Sequence, residues 1–400
     1  MKLRQSIQCI TCEEVLTLRV SLGHNSYHRF DFSCQGCEEP IGLGIHIDFK
    51  NVSTKFEFCE NSRAIDEEGI IINLDPHFLL DESNAHTDLN FSWMQEAMAI
   101  MRHSDIPPIL LKPERQGRGD IYEQLGGLDQ ISNTWQIVKK GWSLANKNKS
   151  SLSLRVLKKY NPPHFTAANK SIEAVTNDFL YRLTLPKAYP ITDGAMNALK
   201  LAKNSFPTQF SSFVTYYKSN MMQSNMKRYF DCFSEFFDDY SEYDQVILYV
   251  KNQMETPEGH VATSYGFNKT KMFYGNAYEH FTSNIAVLAC LNNIIQGREY
   301  DQFQSMDLQK YLTINKANRG NPFLDNSDLS PFLLCTDSSL RNASHHQSMH
   351  LIDKGKTIEY RSGGTGSLRT IPYSKYLEKC NQIALTMASL YLLEIELKKA

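Results

Sequence analysis

Two pairs of cysteines near the amino terminus constrain the fold of this 400-residue chain more than any other feature. Cys9 and Cys12 form one CxxC pair, Cys34 and Cys37 form the second, and residues 13–33 lie between them. Each CxxC turn can bring two thiolates to one ion, and two such turns fill the four positions of a tetrahedral zinc site. Because no position stays open for water or substrate, we predict a structural zinc that stabilises a segment with little core of its own.

Two other interpretations of these cysteines stay open. In the first, they are four core residues whose paired spacing arises by chance. In the second, a pair of them is redox-active. Nine cysteines are too few for a disulfide scaffold. We expect the remaining five to be small buried hydrophobes; they are Cys59, Cys232, Cys290, Cys335 and Cys380. His24, His28 and His46 lie nearby, but four thiolates suffice, so we expect surface or packing roles for them. The segment resembles a zinc ribbon, in which residues 17–32 would form the hairpin.

The overall charge gives no support to avid nucleic-acid binding, because 42 basic and 44 acidic side chains leave a net charge of −2. Any RNA contact must therefore be local. The sequence contains neither an apolar run long enough to span a membrane nor an apolar stretch near its start that could act as a signal peptide. We therefore expect a cytoplasmic protein without a membrane partner.

The hydrophobic pattern changes along the chain and predicts an α+β fold. Up to about residue 75, short apolar runs separated by turn residues predict strands, whereas later segments show the three-to-four spacing of helices. We predict a β-rich zinc-ribbon-like module at 1–80, a mainly helical middle region at 81–262 and a helical domain at 263–400. Within the last domain, residues 356–374 predict a small hairpin and residues 373–399 a closing amphipathic helix.

The densest cluster of chemically capable side chains lies at residues 341–346. On a helix, Asn342 and His346 share one face, and Arg341 and His345 share another. An imidazole exchanges a proton near neutral pH, and a guanidinium holds a phosphate and stabilises charge that develops on it. A phosphodiester-cleaving enzyme that uses no metal needs these two groups. The alternative is a surface helix on which the Arg and His side chains are merely solvated.

This motif resembles the signature of the HEPN superfamily, which has an Arg, usually followed by a polar residue, and a His after four to six intervening positions. Arg341, Asn342 and His346 satisfy that pattern. His345, with three intervening residues, departs from it but could substitute or assist, so which histidine is catalytic stays open. More loosely, residues 270–400 are similar in arrangement to the HEPN domains of bacterial defence and toxin proteins, and the final domain is expected to be a HEPN-like helical bundle.

The resemblance implies a metal-independent endoribonuclease of antiphage defence, abortive infection or toxin type, in which His346 is general acid or base and Arg341 stabilises the phosphate. Zinc would then be structural only, and catalysis would need no cofactor. A single motif implies a homodimer with a composite site, RNA as substrate, and an antitoxin or phage-derived trigger as a further partner. Similar domains often direct a polar residue of their first helix at the active site. Glu279 and His280 lie on that predicted helix, but we expect ordinary exposed positions for them in preference to this role. The rival function is a non-catalytic zinc-ribbon adaptor that binds RNA or protein.

Overall fold

A computed structural model describes residues 2–23, 25–87, 92–103, 131–162, 165, 170–185 and 190–400. The protein has an α+β fold in which a β-rich amino-terminal part precedes a mainly helical region, as the sequence predicts. In the described ranges, none of the helices combines the length and apolar character needed to cross a membrane.

The amino-terminal part consists of two antiparallel hairpins and their flanking strands. The strands are β1 (Lys2–Cys9), β2 (Val15–Ser21), β3 (Tyr27–Ser33), β4 (Pro40–Asp48), β5 (Ser53–Glu60), β6 (Ser62–Ala64) and β7 (Ile70–Leu74). One sheet has the order β6-β1-β2-β7 and the other has the order β3-β4-β5. Apolar side chains from both sheets form one hydrophobic cluster between Ile7 and Leu74. The predicted β-rich segment is therefore confirmed.

The predicted hairpin of residues 17–32 is wrong. β2 pairs with β1 in antiparallel register and with β7 in parallel register, whereas β3 pairs with β4. Each CxxC turn itself joins two antiparallel strands, so each strand pairs across its own cysteine turn and not across residues 22–26. The two hairpins are consequently separate units, and each contributes two of the four cysteines.

Helices dominate the remainder of the described chain. They are α1 (Ser92–His103), α2 (Ile131–Asn146), α3 (Ser150–Leu157), α4 (Ile172–Thr184), α5 (Pro190–Ser205), α6 (Pro207–Tyr216), α7 (Met222–Asp238), α8 (Tyr240–Lys251), α9 (Phe267–Thr270), α10 (Phe273–Asn284), α11 (Ala286–Ile295), α12 (Leu308–Tyr311), α13 (Ser338–His345) and α14 (Tyr373–Lys399). A π-helical turn, Tyr217–Met221, joins α6 to α7.

The closing helix α14 is the centre of the helical core. It packs against α4, α5, α7, α8 and α10 and is buried on nearly every side. The predicted closing helix is therefore confirmed, but the prediction that it is amphipathic, with one exposed face, is wrong. A hydrophobic cluster runs from Leu79 to Leu397 and crosses the predicted boundary at residue 262. The division into three domains stays a prediction.

Two small sheets accompany the helices. β8 (Leu80–Asp81) pairs with β9 (His260–Val261). The predicted hairpin near the carboxyl end is confirmed by the antiparallel pair β11 (Thr357–Arg361) and β12 (Leu368–Pro372). A further strand, β10 (Met349–Ile352), extends this hairpin to three strands and directly follows the motif helix α13. A strand of four residues is too short for the alternation of apolar and polar residues to reveal it in the sequence.

A buried carboxyl group in α14 makes the core sensitive to pH. Glu394 is fully buried and accepts hydrogen bonds from the hydroxyls of Tyr217 and Tyr229 and from Nδ2 of Asn225, at 2.8, 2.7 and 3.0 Å. Burial raises the pKa of Glu394 to about 7, although these hydrogen bonds oppose the shift. A folded-state pKa above the unfolded value contributes stability at low pH that is lost as the pH rises through the folded pKa.

We therefore expect Glu394→Gln to flatten the pH dependence of stability. Between pH 5 and pH 8 the free energy of unfolding of the wild type should fall by about 2–3 kcal/mol relative to the variant. Urea unfolding at both pH values measures this difference. Glu396→Gln is the matched control, because Glu396 is a surface residue of the same helix that pairs with Lys399. Parallel pH profiles for the wild type and Glu394→Gln would contradict the prediction.

Candidate functional site

The four cysteines of the two CxxC pairs meet at one point, as the sequence predicts. Their Sγ atoms all lie within 4.8 Å of one another. Cys9 is 3.7 Å from Cys37, and Cys12 is 3.6 Å from Cys34. Thiolates at roughly 2.3 Å from a tetrahedral zinc ion are about 3.8 Å apart, so the spacing of the four sulfurs fits such an ion.

The two cysteine turns share one backbone conformation. Residues 9–14 and 34–39 both read CxxCEE, and the first Glu of each, Glu13 and Glu38, has φ at +64°. In each turn the amide of this Glu donates to the carbonyl of the first cysteine, at 3.0 and 3.1 Å. The amide of the first cysteine in turn donates to the carbonyl of the second Glu, at 2.9 Å in both turns. The repeated CxxCEE hexapeptide therefore indicates the shared turn conformation, which the spacing of the cysteines alone does not indicate.

Asn61 connects the first cysteine turn to the second hairpin. Its Oδ1 accepts hydrogen bonds from the amide and the hydroxyl of Thr11, at 3.1 and 2.9 Å. Its Nδ2 donates to the carbonyl of Pro40, the first residue of β4, at 3.1 Å. Residues that orient metal ligands from outside the first coordination sphere contribute to metal affinity, and Asn61 would occupy such a position around an ion held by the four cysteines. Nothing in the cysteine spacing indicates it.

Replacing Asn61 with alanine is expected to lower the affinity for zinc by about 10-fold, because the first cysteine turn loses its hydrogen bonds to the second hairpin. Competition with a zinc-binding chromophore measures the affinity. Asn51→Ala is the matched control, since Asn51 lies in the same module but its amide and side chain bond to Asp48 in its own turn. Equal zinc affinity of the Asn61 and Asn51 variants would show that Asn61 has no such role.

The nearby histidines do not join the cysteine cluster among the described residues. His28 is buried with its ring centroid 5.5 Å from that of His77, and His46 pairs with Glu57 at 3.1 Å. The packing and surface roles expected for these two are thus confirmed, and His24 lies outside the described residues. Of the remaining cysteines, four are buried as expected, namely Cys232, Cys290, Cys335 and Cys380. Cys59 is exposed on β5, so the prediction for it is wrong.

The Arg and His motif lies on α13, a short helix with a defined start. The Asp337 carboxylate accepts hydrogen bonds from the amides of Ser339 and Leu340, which caps the first turn. Leu340, Ala343 and Ser344 are buried and fix the orientation of the helix. The outer half of the helix therefore carries three of the predicted site residues, Arg341, Asn342 and His345, and His346 caps its carboxyl end.

Gly275 allows α13 to lie directly against α10. A Cβ atom at this position would be 2.7 Å from Oγ of Ser344 and 3.3 Å from Nε2 of His345, so a larger residue would push the helices apart. Oγ of Ser344 donates to the carbonyl of Lys271 at 2.7 Å. One turn beyond Gly275 on the same face of α10, Glu279 lies opposite Arg341. The close helix contact thus determines which α10 residue meets the motif.

Arg341 is bound by two neighbouring oxygen acceptors. Its Nε donates to Oε1 of Glu279 at 2.5 Å, its Nη2 contacts the same oxygen, and its Nη1 donates to Oδ1 of Asn342 at 2.7 Å. Burial raises the pKa of Glu279, but Lys316 and Arg341 outweigh burial and hold it below its ordinary value. Glu279 is therefore a charged partner of Arg341 and not an ordinary exposed residue.

The two candidate histidines lie on different sides of the outer helix surface. His345 is exposed on the same face as Arg341, next to α10. His346 is exposed at the carboxyl end of α13, where its amide donates to the carbonyl of Asn342 at 3.0 Å. Both side chains are open to solvent. His280 is half-buried, and burial lowers its pKa.

A cleft of about 740 Å³ lies between the cysteine module and the carboxyl end of α13. Its lining includes Glu38 of the second cysteine turn and Ser344 and Gln347 of the motif region, but not Arg341 or His346. Lys354 crosses the cleft toward Glu38, with 3.9 Å between Nζ and Oε1. The cysteine module therefore forms one wall of a cavity that begins beside the motif helix.

Comparison of the chain with protein-family models, with curated proteins and with solved structures gives no match. The resemblance to HEPN domains consequently rests on the motif residues Arg341, Asn342 and His346 and on their helical surroundings.

Proposed function

We propose that this protein is a metal-independent endoribonuclease of HEPN type. The observation that carries the proposal is the presentation of one guanidinium and two imidazoles on the exposed half of α13 and at its carboxyl cap, beside the charged Glu279 of α10. Arg341 is about one-third exposed and so can be reached by a phosphate. The groups needed for phosphodiester cleavage without a catalytic metal thus lie on two turns of one helix.

In the proposed reaction, a histidine imidazole takes the proton of an RNA 2′-hydroxyl as that oxygen attacks the adjacent phosphorus. The bond from phosphorus to the 5′-oxygen breaks, and the leaving oxygen receives a proton from an imidazolium. Arg341 stabilises the negative charge on the phosphorane-like transition state. His346 is the proposed general acid or base, and His345 assists or substitutes for it. DNA lacks the attacking hydroxyl and should resist cleavage.

The ion proposed for the four cysteines is Zn²⁺ in a structural role. Four thiolates saturate a tetrahedral ion, so the site has no open position for water. Zinc would hold the two hairpins together and thereby support one wall of the cleft beside α13. Catalysis would need no metal.

The proposed biological setting is bacterial antiphage defence, abortive infection or toxin action, with an antitoxin or phage-derived trigger as a partner. A homodimer would bring two Arg341 and His346 motifs together in a composite site. These proposals rest on analogy with HEPN domains.

The decisive experiment measures cleavage of total cellular RNA by purified protein in EDTA, with His346→Ala and His345→Ala assayed in parallel. We expect cutting by the wild type and a loss of about 10²-fold or more in the His346 variant, because a positioned proton donor or acceptor has that effect. Zinc content is measured after the incubation, so that loss of structural metal is not mistaken for loss of a catalytic one. His350→Ala is the matched control, since His350 is exposed and lies on β10, outside the motif.

A greater loss in the His345 variant would assign the proton transfer to His345. Equal activity of all three variants would show that neither motif histidine is catalytic. If the wild type binds RNA without cutting it and expression is not toxic, the protein is the adaptor that the sequence leaves as the alternative.

A further inference from the structure

A single carboxylate lies between two cations at the motif helix. Oε1 of Glu279 contacts Arg341 of α13, and Oε2 contacts Nζ of Lys316, which comes from a separate 3₁₀ turn at residues 316–318. Nζ of Lys316 also donates to the main-chain carbonyl of Glu279 at 3.1 Å. Three segments that are distant in the sequence thus meet at the Glu279 carboxylate.

The backbone around Lys316 is fixed by buried contacts. The hydroxyl of Tyr311 donates to the carbonyl of Arg319 at 2.6 Å, and the Arg319 guanidinium donates to the carbonyls of Thr282 and Leu312 at 3.2 and 2.5 Å. Thr282 belongs to α10, the helix that carries Glu279. Lys316 is therefore held against α10 by the fold and does not reach Glu279 as a freely rotating surface side chain.

This group of three residues carries an excess positive charge at an accessible position. The side chains of Arg341, Lys316 and Glu279 are 32%, 29% and 24% exposed. In the part of the chain that the structure describes, neither cation forms an ion pair with a second carboxylate. Two cations and one anion leave a net charge of +1, which favours a further anion.

The two oxygens of a carboxylate offer neighbouring acceptors to Arg and Lys, as two non-bridging oxygens of a phosphodiester do. We propose that Lys316 is a second phosphate-binding residue beside Arg341, and that Glu279 is an internal anion that occupies the phosphate position until an RNA phosphodiester displaces it. This inference rests on the proposed ribonuclease function and names a further substrate-binding residue of that site. Glu279 competes with the substrate, whereas Lys316 and Arg341 bind it.

Binding of a non-cleavable probe tests the inference without requiring catalysis. The probe is a fluorescent single-stranded RNA with 2′-O-methyl groups at every position, and anisotropy titrations at several salt concentrations give its affinity. Glu279→Gln should bind about 10-fold more tightly than the wild type, because the competing charge is removed. Lys316→Ala should bind about 10-fold more weakly, and its slope of log affinity against log salt should be smaller by about 0.7, as one phosphate contact is lost.

Glu299→Gln and Lys310→Ala are matched controls, since both are exposed residues away from the Glu279 carboxylate, and both should bind the probe as the wild type does. Thermal unfolding midpoints verify that the variants are folded. Glu279→Gln with unchanged or weaker binding, Lys316→Ala with an unchanged salt slope, or no binding of the probe by the wild type would each overturn the inference. If these binding changes occur but Arg341→Ala and His346→Ala leave RNA cleavage unaltered, the phosphate site stands and the ribonuclease proposal fails.

Discussion

Arg341→Ala is expected to lower RNA cleavage by about 10²–10³-fold while leaving the protein folded. A donor aimed at charge that develops in the transition state has an effect of this size. In the structure, Arg341 contacts Glu279 and Asn342 at the surface of α13, and its removal leaves the buried side of the helix unchanged. Initial rates on a defined single-stranded RNA under saturating conditions measure the effect.

Arg369→Ala is the control for this prediction. Arg369 also binds α13, through a hydrogen bond of 2.8 Å to Oγ of Ser339, but it lies outside the motif. Its removal should change the rate by much less. Similar rates for the Arg341 variant and the wild type would refute a catalytic role for the motif.

Cys34→Ser is expected to abolish zinc binding and to unfold the amino-terminal module. Wild-type protein should contain about one zinc per chain, because four thiolates share one ion. Structural zinc sites couple on the order of 10 kcal/mol of binding free energy to folding at neutral pH. The helical core has its own hydrophobic cluster, from Leu79 to Leu397, and should persist. Metal analysis and limited proteolysis measure the two effects.

Cys59→Ser is the control that distinguishes the effect of losing the metal site from the effect of losing any one thiol. Cys59 lies in the same module but on the exposed side of β5, away from the four-cysteine cluster. That variant should keep its zinc and its resistance to protease. A Cys34 variant that still carries one zinc per chain would show that the four cysteines do not form one site.

The local features of the fold could be predicted from the sequence because their signals lie within a few residues. The CxxC turns, the β-rich start, the helix that carries the Arg and His motif and the hairpin of β11 and β12 all have such signals. The pairing of the strands could not be predicted in the same way. Residues 10–14 connect β1 to β2 and residues 22–26 connect β2 to β3. Because these two connections have the same length, loop length does not reveal that β2 pairs with β1 and not with β3.

In the candidate site, too, the sequence reveals the features that lie close together in the chain but not the contacts between distant residues. Arg341 and His346 are visible as a motif because they are separated by four residues. The contact of Arg341 with Glu279 spans 62 positions, and it depends on Gly275 allowing two helices to meet. Lys316 has no periodic or spacing signal, because it is a lone lysine in a loop. Its proposed role follows only from its contacts with Glu279 and from the buried contacts of Tyr311 and Arg319 that hold it in place.

Each hairpin of the amino-terminal module supplies only two of the four sulfur ligands, so neither can saturate a tetrahedral ion by itself. Uptake of the proposed zinc ion would therefore measure the association of the two hairpins and not the formation of either one. A substitution anywhere in β1–β4 that weakens this association should reduce the zinc content even when it lies far from every cysteine. Zinc content can thus serve as a quantitative assay of assembly for the whole module.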